Sequence, residues 1–153
     1  MNCISNNMEI RKGEVQDYDA ALKLVLQFAD ESLEEYGTYI DPVQIQKTFD
    51  AIYKTSFVGV VDEKIVGVLA GQIVEDICST RPAFEEVVWY VVKEHRGTGM
   101  QLFNYVQQWC VDQGIGRMVM SCMHNSKTEM LFRVYKSLGF EPMETRFIKV
   151  LNK

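Results

Sequence analysis

The sequence is poor in several features that would each mark a particular class of protein. Its 153 residues include only three prolines and two histidines, and none of its apolar stretches approaches the roughly 18 residues that a membrane-spanning helix needs. The first residues lack the basic segment and the apolar segment of a secretory signal, so we expect neither secretion nor membrane insertion. Because internal repeats and Pro-rich linkers are also absent, the sequence predicts a single domain over residues 1–153.

The cysteines and the charge balance exclude further classes. No two of the cysteines form a C-x-x-C pair, and their spacing supports no disulfide framework; they are Cys3, Cys78, Cys110 and Cys122. We therefore expect reduced thiols in a cytoplasmic protein and no metal site, since Cys122 and His124 would supply at most half of a structural zinc site. The net charge of −5 disfavours nucleic acid as a partner and suits a cationic small molecule better.

Four stretches have apolar residues at the spacing of a helix with one buried face. The first is expected to end at Gly37, and Pro42 suits the first turn of the second. The third and fourth are expected to stop at Gly114 and Gly139, the usual position of glycine just past a helix. The four apolar sets are Leu22, Val25, Leu26, Ala29 and Leu33; Ile45, Phe49 and Ile52; Leu102, Val106, Trp109 and Cys110; and Met130, Leu131, Val134, Tyr135 and Leu138.

Runs of β-branched and aromatic residues predict strands before, between and after these helices. The first lies at about Met8–Arg11, and the runs SFVGVV and IVGVLAGQIV form an antiparallel hairpin across Asp62–Lys64. The run FEEVVWYVV is nearly continuously apolar and is therefore predicted to be central in its sheet. With RMVMSCM and TRFIKVL the order becomes strand, two helices, three strands, helix, strand, helix, strand, which is typical of an α/β (α+β) sheet with helices on its faces.

The stretch VVWYVVKEHRGTGMQLF joins the central strand to the third helix through Arg96, Gly97 and Gly99. The first N–H groups of a helix have no intrahelical acceptor, and with the helix dipole they form a site for an anion. The two glycines let the backbone approach a phosphate and can take positive φ angles, while Arg96 adds a planar cation. Plain turn chemistry is the alternative. No P-loop motif occurs, and the third glycine of a dinucleotide fingerprint would fall at Leu102.

The segment VVKEHRGTGMQLF, followed by a strand and then by MLFRVYKSLGF, resembles the GNAT family of N-acetyltransferases. In that family an Arg/Gln-x-x-Gly-x-Gly/Ala motif binds the pyrophosphate of acetyl-coenzyme A, and a late helix carries a Tyr shortly before Gly-Phe. The resemblance covers about residues 8–151. It implies a mixed, mostly antiparallel central sheet of six to seven strands with about four helices, and transfer of an acetyl group from acetyl-coenzyme A to a primary amine.

The resemblance assigns the pyrophosphate site to the turn before the third helix. Arg96 and Gly99 match the first two fixed places of the motif, and Gly97 matches a frequent variant of the loop. Gln101 stands where the family has Gly or Ala, so its side chain would either crowd the pyrophosphate or donate an amide hydrogen bond to it. The implied set in this turn is Arg96, Gly97, Thr98, Gly99, Met100 and Gln101.

Further contacts to acetyl-coenzyme A are implied on either side of this turn. Val91 and Val92 match the place where the family's central strand splays from its neighbour and pairs with the pantetheine amides. Many relatives have a cofactor-binding Asn seven residues before the late Tyr; here Thr128 holds that position, with Asn125 nearby, and either is a candidate.

The same resemblance gives the catalytic candidates. Tyr135 matches the general acid that protonates the departing thiolate, and its alternative reading is a tyrosine of the apolar helix stripe. Glu86 resembles the glutamate base of the histone-modifying branch, although only one of Glu85 and Glu86 can face the cleft of a regular strand, and both could be solvated. Histidine is a residue type suited to acid–base work near neutral pH, but His95 and His124 are expected at the surface.

The implied mechanism is direct transfer within a ternary complex. A base takes the proton of the amine, the nitrogen attacks the acetyl carbonyl, and a strand N–H near Val91 stabilises the oxyanion. No cysteine matches an acylated nucleophile of the family.

The acceptor remains open at the level of the sequence. The segment ADESLEEYGTYIDPVQIQ, with Trp89 and Tyr90, carries acids and tyrosines that suit a cationic amine, but it reads equally well as a solvated helix end and loop. A small-molecule amine or a peptide amine is therefore expected. The alternatives are a catalytically inactive coenzyme A-binding module and an interaction domain with no cofactor. A homodimer paired through RFIKVL is a further possibility.

Overall fold

The predicted order of elements holds in the structure up to its last strand. The computed structural model describes residues 7–33, 40–76, 79–123, 127–149 and 151, and within them five strands and four helices alternate as expected. The elements are β1 (Glu9–Lys12), α1 (Tyr18–Leu33), α2 (Pro42–Ile52), β2 (Ser56–Val61), β3 (Lys64–Asp76), β4 (Ser79–Val91), α3 (Gly99–Asp112), β5 (Arg117–Val119) and α4 (Thr128–Ser137).

The five strands form one sheet in the order β1-β2-β3-β4-β5. Every pair is antiparallel except β4 and β5, which are parallel, so the expected mixed and mostly antiparallel sheet is confirmed. The hairpin between β2 and β3 turns at Asp62 and Glu63, whose φ angles are 49° and 62°. Because β4 pairs with β3 on one side and β5 on the other, the prediction that it lies inside the sheet is confirmed as well.

The sixth strand is the part of the fold prediction that is wrong. Residues 145–149 and 151 of TRFIKVL are not in a strand, so the expected six to seven strands become five in the described part of the chain. The side chains of Phe147 and Ile148 are 94% and 70% exposed. An apolar run forms a strand only when a neighbouring edge supplies hydrogen bonds and a surface to pack on, and β5, with three residues, offers little edge.

Helix boundaries follow the predicted signals where the structure describes them. Pro42 opens α2 behind Asp41, whose carboxylate accepts a hydrogen bond from the Val43 N–H at 2.9 Å. Gly114 and Gly139 follow α3 and α4 with φ angles of 71° and 86°, the left-handed conformation in which glycine avoids the penalty of a Cβ atom. The predicted end of α1 at Gly37 lies outside the described residues. No described helix is long and apolar enough to cross a bilayer.

The core has two layers, one on each face of the sheet. The face under α1 and α2 includes Ala21, Val25, Phe49, Val58, Val68, Val88 and Tyr90. The face under α3 includes Phe57, Leu69, Phe84, Val91, Leu102 and Val106. The sheet therefore separates two compartments, and only its edges and irregularities can connect them.

One such irregularity lies in the middle of β4. Its register with β3 shifts, because Ala70 pairs with Val88 whereas Gly71 pairs with Glu86, so Val87 is an extra residue. Phe84 packs with α3, whereas Val88, four residues later, packs with α1 and α2. In a regular strand both would face the same side. The bulge thus turns the strand over between Glu86 and Val88.

Glycine at position 71 is required by this bulge. A Cβ atom on Gly71 would lie 2.4 Å from the backbone oxygen of Glu85 and 2.7 Å from Cζ of Phe84. Both distances are well inside van der Waals contact, and the first neighbour is backbone that cannot rotate away. The bulge in β4 is therefore accommodated by the missing side chain on β3.

Candidate active site

The candidate site lies where β4 and β5 separate. Their described pairing ends at Glu85 and Val119. Two residues further on, the Ser121 N–H donates a hydrogen bond of 3.0 Å to the side-chain carboxylate of Glu86. A side-chain oxygen of β4, instead of a backbone carbonyl, thus meets the chain that continues from β5. The Glu86 carboxylate consequently stands in the gap between the two strands.

Burial gives Glu86 unusual acid–base properties. The residue is 8% exposed, and burial raises the pKa of its carboxyl from 4.5 to about 7, although the hydrogen bonds from Ser121 act in the opposite direction. A carboxyl whose pKa lies near neutrality can both accept and release a proton under physiological conditions. Of the two glutamates considered from the sequence, Glu86 is the buried one, and Glu85 is half-buried.

Tyr135 reaches the same peptide from α4. Its hydroxyl donates a hydrogen bond of 2.9 Å to the backbone oxygen of Ser121, and its ring packs against Phe140 and Trp89 with centroid distances of 5.5 Å and 6.4 Å. Burial raises the pKa of Tyr135, and the nearby Glu86 and Cys122 groups raise it further. The phenol therefore stays protonated at neutral pH.

Ser121 is the functional position that sequence reasoning missed. Its N–H holds Glu86 and its backbone oxygen holds Tyr135, so the two residues predicted as base and acid are fixed by one residue. Both of these bonds use main-chain atoms, and the Ser121 side chain also hydrogen-bonds Glu86. Its place in the run RMVMSCM indicated only a strand, so no sequence signal identified it.

The glycine turn leads from β4 into α3 through a 3₁₀ helix over Lys93–Thr98. Gly99 begins α3 with a φ angle of −58°, and neither Gly97 nor Gly99 has a positive φ. The left-handed conformation available to these glycines is therefore not used. What they provide is space, because a Cβ atom added to Gly97 would have no neighbour within 4 Å. The side chain of Gln101, in the first turn of α3, is exposed.

Arg96 has a partner that the sequence did not indicate. Its guanidinium donates to the Glu31 carboxylate of α1 at 3.0 Å and to the Val91 backbone oxygen at 3.3 Å. The other Glu31 oxygen accepts a hydrogen bond of 2.9 Å from the Tyr90 hydroxyl. Burial alone would raise the pKa of Glu31, but the hydrogen bonds from Tyr90 and Gln27, together with nearby Arg96, bring it below its ordinary value. Arg96, which was predicted to bind the phosphate, is thus already paired with a carboxylate.

The remaining predicted binding residues lie around this turn. Val91 ends β4 opposite Gly67, and the Val92 N–H donates to the Val66 oxygen at 2.9 Å. On the side of β5, no described strand pairs with β4 beyond Glu85, and the Val91 oxygen accepts the hydrogen bond from Arg96.

The other predicted residues lie in the turn between β4 and α3, in α3 itself and at the start of α4. Thr98 is buried and Met100 is half-buried, and the Thr98 hydroxyl donates to the His95 oxygen at 2.6 Å. His95, expected at the surface, is half-buried. Thr128 begins α4, and its hydroxyl donates to the Met123 oxygen at 2.8 Å. Asn125 and His124 lie outside the described residues.

Comparison with known protein families agrees with this geometry. A family model described as "Acetyltransferase (GNAT) family" matches residues 22–140. The chain belongs to this family, as the motif in residues 96–101 implied. It is an acetyltransferase that takes its acetyl group from acetyl-coenzyme A. No curated protein sequence matches the chain.

Solved structures of other acetyltransferases have the same fold. A possible acetyltransferase from Clostridium difficile 630 is 22% identical with a TM-score of 0.72, over 95% of this chain and 98% of that one. Aminoglycoside N-acetyltransferase AAC(6')-Iy in complex with CoA is 18% identical with a TM-score of 0.71, over 100% of both chains. Ribosomal-protein-alanine N-acetyltransferase from Brucella melitensis biovar Abortus 2308 is 14% identical with a TM-score of 0.73, over 94% and 99%.

Proposed function

We propose that the protein transfers an acetyl group directly from acetyl-coenzyme A to a primary amine, with Glu86 as the general base and Tyr135 as the general acid. The observation that carries this assignment is the shared attachment of both side chains to Ser121. One residue holds a carboxylate that ionises near pH 7 and a phenol that remains protonated. These are the protonation states that removal of a proton from an ammonium and protonation of a thiolate require.

The bond changes balance with these two groups. Glu86 takes one proton from the ammonium, and the free amine attacks the acetyl carbonyl. The new C–N bond forms, the C–S bond breaks, and the sulfur leaves with the bonding electrons and receives the Tyr135 proton. The nitrogen loses its second proton, which restores the phenol, and the proton on Glu86 passes to solvent. The products are an N-acetyl amide and coenzyme A.

The donor would be held by the β4 edge and the glycine turn. Val91, which has no described strand partner on the side of β5, would offer backbone groups to the pantetheine amides once Arg96 releases its oxygen, with Val92 beside it. The turn at Gly97 leaves room for a diphosphate beside the first N–H groups of α3. Arg96 would exchange Glu31 for the diphosphate. Thr98, Gly99, Met100 and Gln101 complete this turn, and Thr128, with Asn125, would contact the donor from the start of α4.

The domain organisation, the cellular location and the partners of the protein belong to the same proposal. Residues 1–153 would form one acetyltransferase domain in the cytoplasm, where acetyl-coenzyme A is made and where the described cysteines, Cys110 and Cys122, would stay free as they are here. The acceptor would be a small molecule or a peptide, since the net charge of −5 disfavours nucleic acid. The exposed apolar side chains of Phe147 and Ile148 would suit burial in a homodimer.

Replacement of the acid tests the assignment. We expect Tyr135→Phe to lower kcat by about 10²- to 10⁴-fold without weakening coenzyme A binding, because the variant loses the transferable proton and keeps the ring. Thiol release measures kcat, and calorimetric titration measures the affinity. Tyr105→Phe is the matched control, because Tyr105 is 40% exposed on α3. This variant should leave both kcat and the affinity for coenzyme A unchanged.

A pH profile tests the base in the same assay. Because Glu86 must be ionised to accept a proton, kcat/KM should rise with pH and level off above about 7. Glu86→Gln should be slow and should lack this rise. Unchanged turnover in Tyr135→Phe would remove the acid assignment, and an unchanged profile in Glu86→Gln would remove the base assignment.

A further inference from the structure

An apolar groove lies on the face of the sheet that α1 and α2 cover. It has a volume of about 180 Å³ and is bounded by α1, α2 and the middle of β4. Among the described residues that line it, only Gln44 and Thr48 are polar. The lining includes Phe28 and Ala29 of α1, Ile45 and Thr48 of α2, and Val87 and Val88 of β4.

The bulge in β4 places this groove next to the candidate base. Val87 and Val88 directly follow Glu86, yet they line the groove under α1 and α2, whereas the Glu86 carboxylate is bonded to Ser121 in the gap beside β5. The described β4–β5 pairing has ended one residue earlier, at Glu85. Described strand pairing therefore does not close the β5 side of β4 beside Glu86, although Glu86 itself is not among the residues that line the groove.

The two faces of the gap have different chemistry. On one side lie Tyr135, Trp89 and the start of α3, the proposed donor side; a Cβ atom added to Gly99 would lie 3.8 Å from the Trp89 ring. On the other side lies the apolar groove. Two substrates that approach Glu86 from opposite faces would avoid each other until the reacting atoms meet. The groove is thus the compartment left for the acceptor.

The size and lining of the groove define what it can hold. An apolar cavity of about 150 Å³ is sufficient for benzene, so a groove of about 180 Å³ holds roughly one aromatic ring or a short alkyl chain. A polyhydroxylated or polycationic body would leave polar groups unpaired against valine, isoleucine and phenylalanine side chains, at a cost of about 1–3 kcal/mol for each group. One positive charge would be matched by the carboxylate of Glu86, the residue directly before Val87 in β4.

We propose that the acceptor is a monoamine with an apolar body about the size of one aromatic ring, held in the groove between α1, α2 and β4 with its ammonium group at Glu86. This inference rests on the proposed function, because it takes Glu86 as the base. It selects a class among amines that the sequence left open. An acceptor of this kind differs from the aminoglycosides after which one of the similar structures is named.

Binding without turnover gives the first test. In the presence of coenzyme A, 2-phenylethylamine should bind with an affinity that Thr48→Trp lowers by at least about tenfold, the lower end of the effect of steric change in an apolar pocket. Thr48 is exposed on α2 and lines the groove, so a larger side chain there fills the groove without entering the core. Lys47→Trp, one residue away and outside the lining, is the matched control and should leave the affinity unchanged. Calorimetric titration measures both.

Turnover gives the second test. Thiol release from acetyl-coenzyme A should show a kcat/KM for 2-phenylethylamine at least about tenfold above that for ethylamine, which has the same reactive group and almost no apolar body. Spermidine and kanamycin should be poorer than 2-phenylethylamine. In Thr48→Trp the advantage over ethylamine should disappear, while the affinity for coenzyme A stays at the wild-type value.

The outcomes separate this inference from the proposed function. If 2-phenylethylamine binds and Thr48→Trp abolishes that binding, but no thiol is released, the groove assignment stands and the roles of Glu86 and Tyr135 fall. If ethylamine, spermidine or kanamycin is acetylated as well as 2-phenylethylamine, or if Thr48→Trp has no effect, the groove assignment is overturned and acetyl transfer stands.

Discussion

At the scale of single residues, the candidate site depends on backbone atoms as much as on side chains. Ser121 fixes Glu86 with its N–H and Tyr135 with its carbonyl oxygen, and neither bond depends on its hydroxyl group. The Ser121 side chain also hydrogen-bonds Glu86 and lowers the pKa of that carboxyl, so replacement by alanine would keep the two main-chain bonds and remove this third one. The geometry of the proposed acid and base depends on where the chain runs after β5.

The ion pair between Arg96 and Glu31 leads to a prediction about donor affinity. Glu31→Gln removes the negative charge that competes with a diphosphate for Arg96, so coenzyme A should bind more tightly. Both side chains are about 40% exposed, and an exposed ion pair is worth about 0.2–1 kcal/mol. The gain should therefore be at most about fivefold, measured by calorimetric titration.

Asp30→Asn provides the control for this experiment, because it removes the same charge from the neighbouring exposed residue of α1. If both variants tighten binding equally, the effect is one of overall charge. If Glu31→Gln leaves the affinity unchanged, Arg96 does not exchange Glu31 for the diphosphate.

Sequence reasoning could name Tyr135, Glu86 and Arg96 because each lies in a short segment with a recognisable pattern. It could not find the partner of Arg96, since Glu31 lies 65 positions away and an acid near a helix end has no distinctive pattern. The choice between Glu85 and Glu86 was equally hidden. It depends on burial next to a bulge, and every residue of FEEVVWYVV suits a strand with or without one.

At the scale of the elements, the hairpin between β2 and β3 contains two residues in an unfavourable conformation. Asp62 and Glu63 both have positive φ angles, which cost roughly 1–2 kcal/mol for a residue with a Cβ atom. Glu63→Gly should therefore raise the free energy of unfolding by about 1 kcal/mol, after allowance for the greater flexibility of glycine in the unfolded chain. Urea denaturation measures the change.

Replacement of a glutamate by glycine within a strand is the control for this prediction. Glu75→Gly lies in β3, where the φ angle is not positive, and it should lower the free energy of unfolding by roughly 0.5–1 kcal/mol. If both variants unfold with a lower free energy than the wild type, the positive φ angle of Glu63 does not destabilise this turn.

Most elements could be predicted because their hydrophobic period and their end signals agree. Pro42, Gly114 and Gly139 mark helix ends by local chemistry that needs no tertiary contact. The failure at TRFIKVL has the opposite cause. A strand is completed by its neighbours, and Phe147 and Ile148 are exposed because nothing in the described chain pairs with them as a strand. Composition alone could not reveal that β5 is short.

At the scale of the whole molecule, the buried carboxyl of Glu86 links stability to pH. Its pKa is about 7 in the folded protein against 4.5 for an ordinary glutamate, so between these values the folded state binds the proton more than the unfolded state does. The free energy of unfolding contributed by Glu86 therefore falls as pH rises through this window, in total by something on the order of 3 kcal/mol. It is fully present below about pH 4.5 and is lost above about 7.

Comparison with Glu86→Gln isolates this contribution, because other titrating groups are common to both proteins. The stability of the wild type relative to the variant should decrease from pH 4.5 to 7.5 and then stay level, as measured by urea denaturation at each pH. A difference that does not depend on pH would mean that the carboxyl ionises at its ordinary pKa, and the proposed base would then be active well below neutrality.

Gly71 has a consequence for how this enzyme can vary. Any side chain at that position would press on the backbone of Glu85 and on Phe84, and the carboxylate one residue further along would shift with them. In the proposed mechanism, a residue of β3 outside the site would thus set the distance between Glu86 and the reacting nitrogen. Random mutagenesis selected for loss of turnover should consequently find position 71 as readily as positions in the cleft, and ligand contacts alone would underestimate the set of residues on which the rate depends.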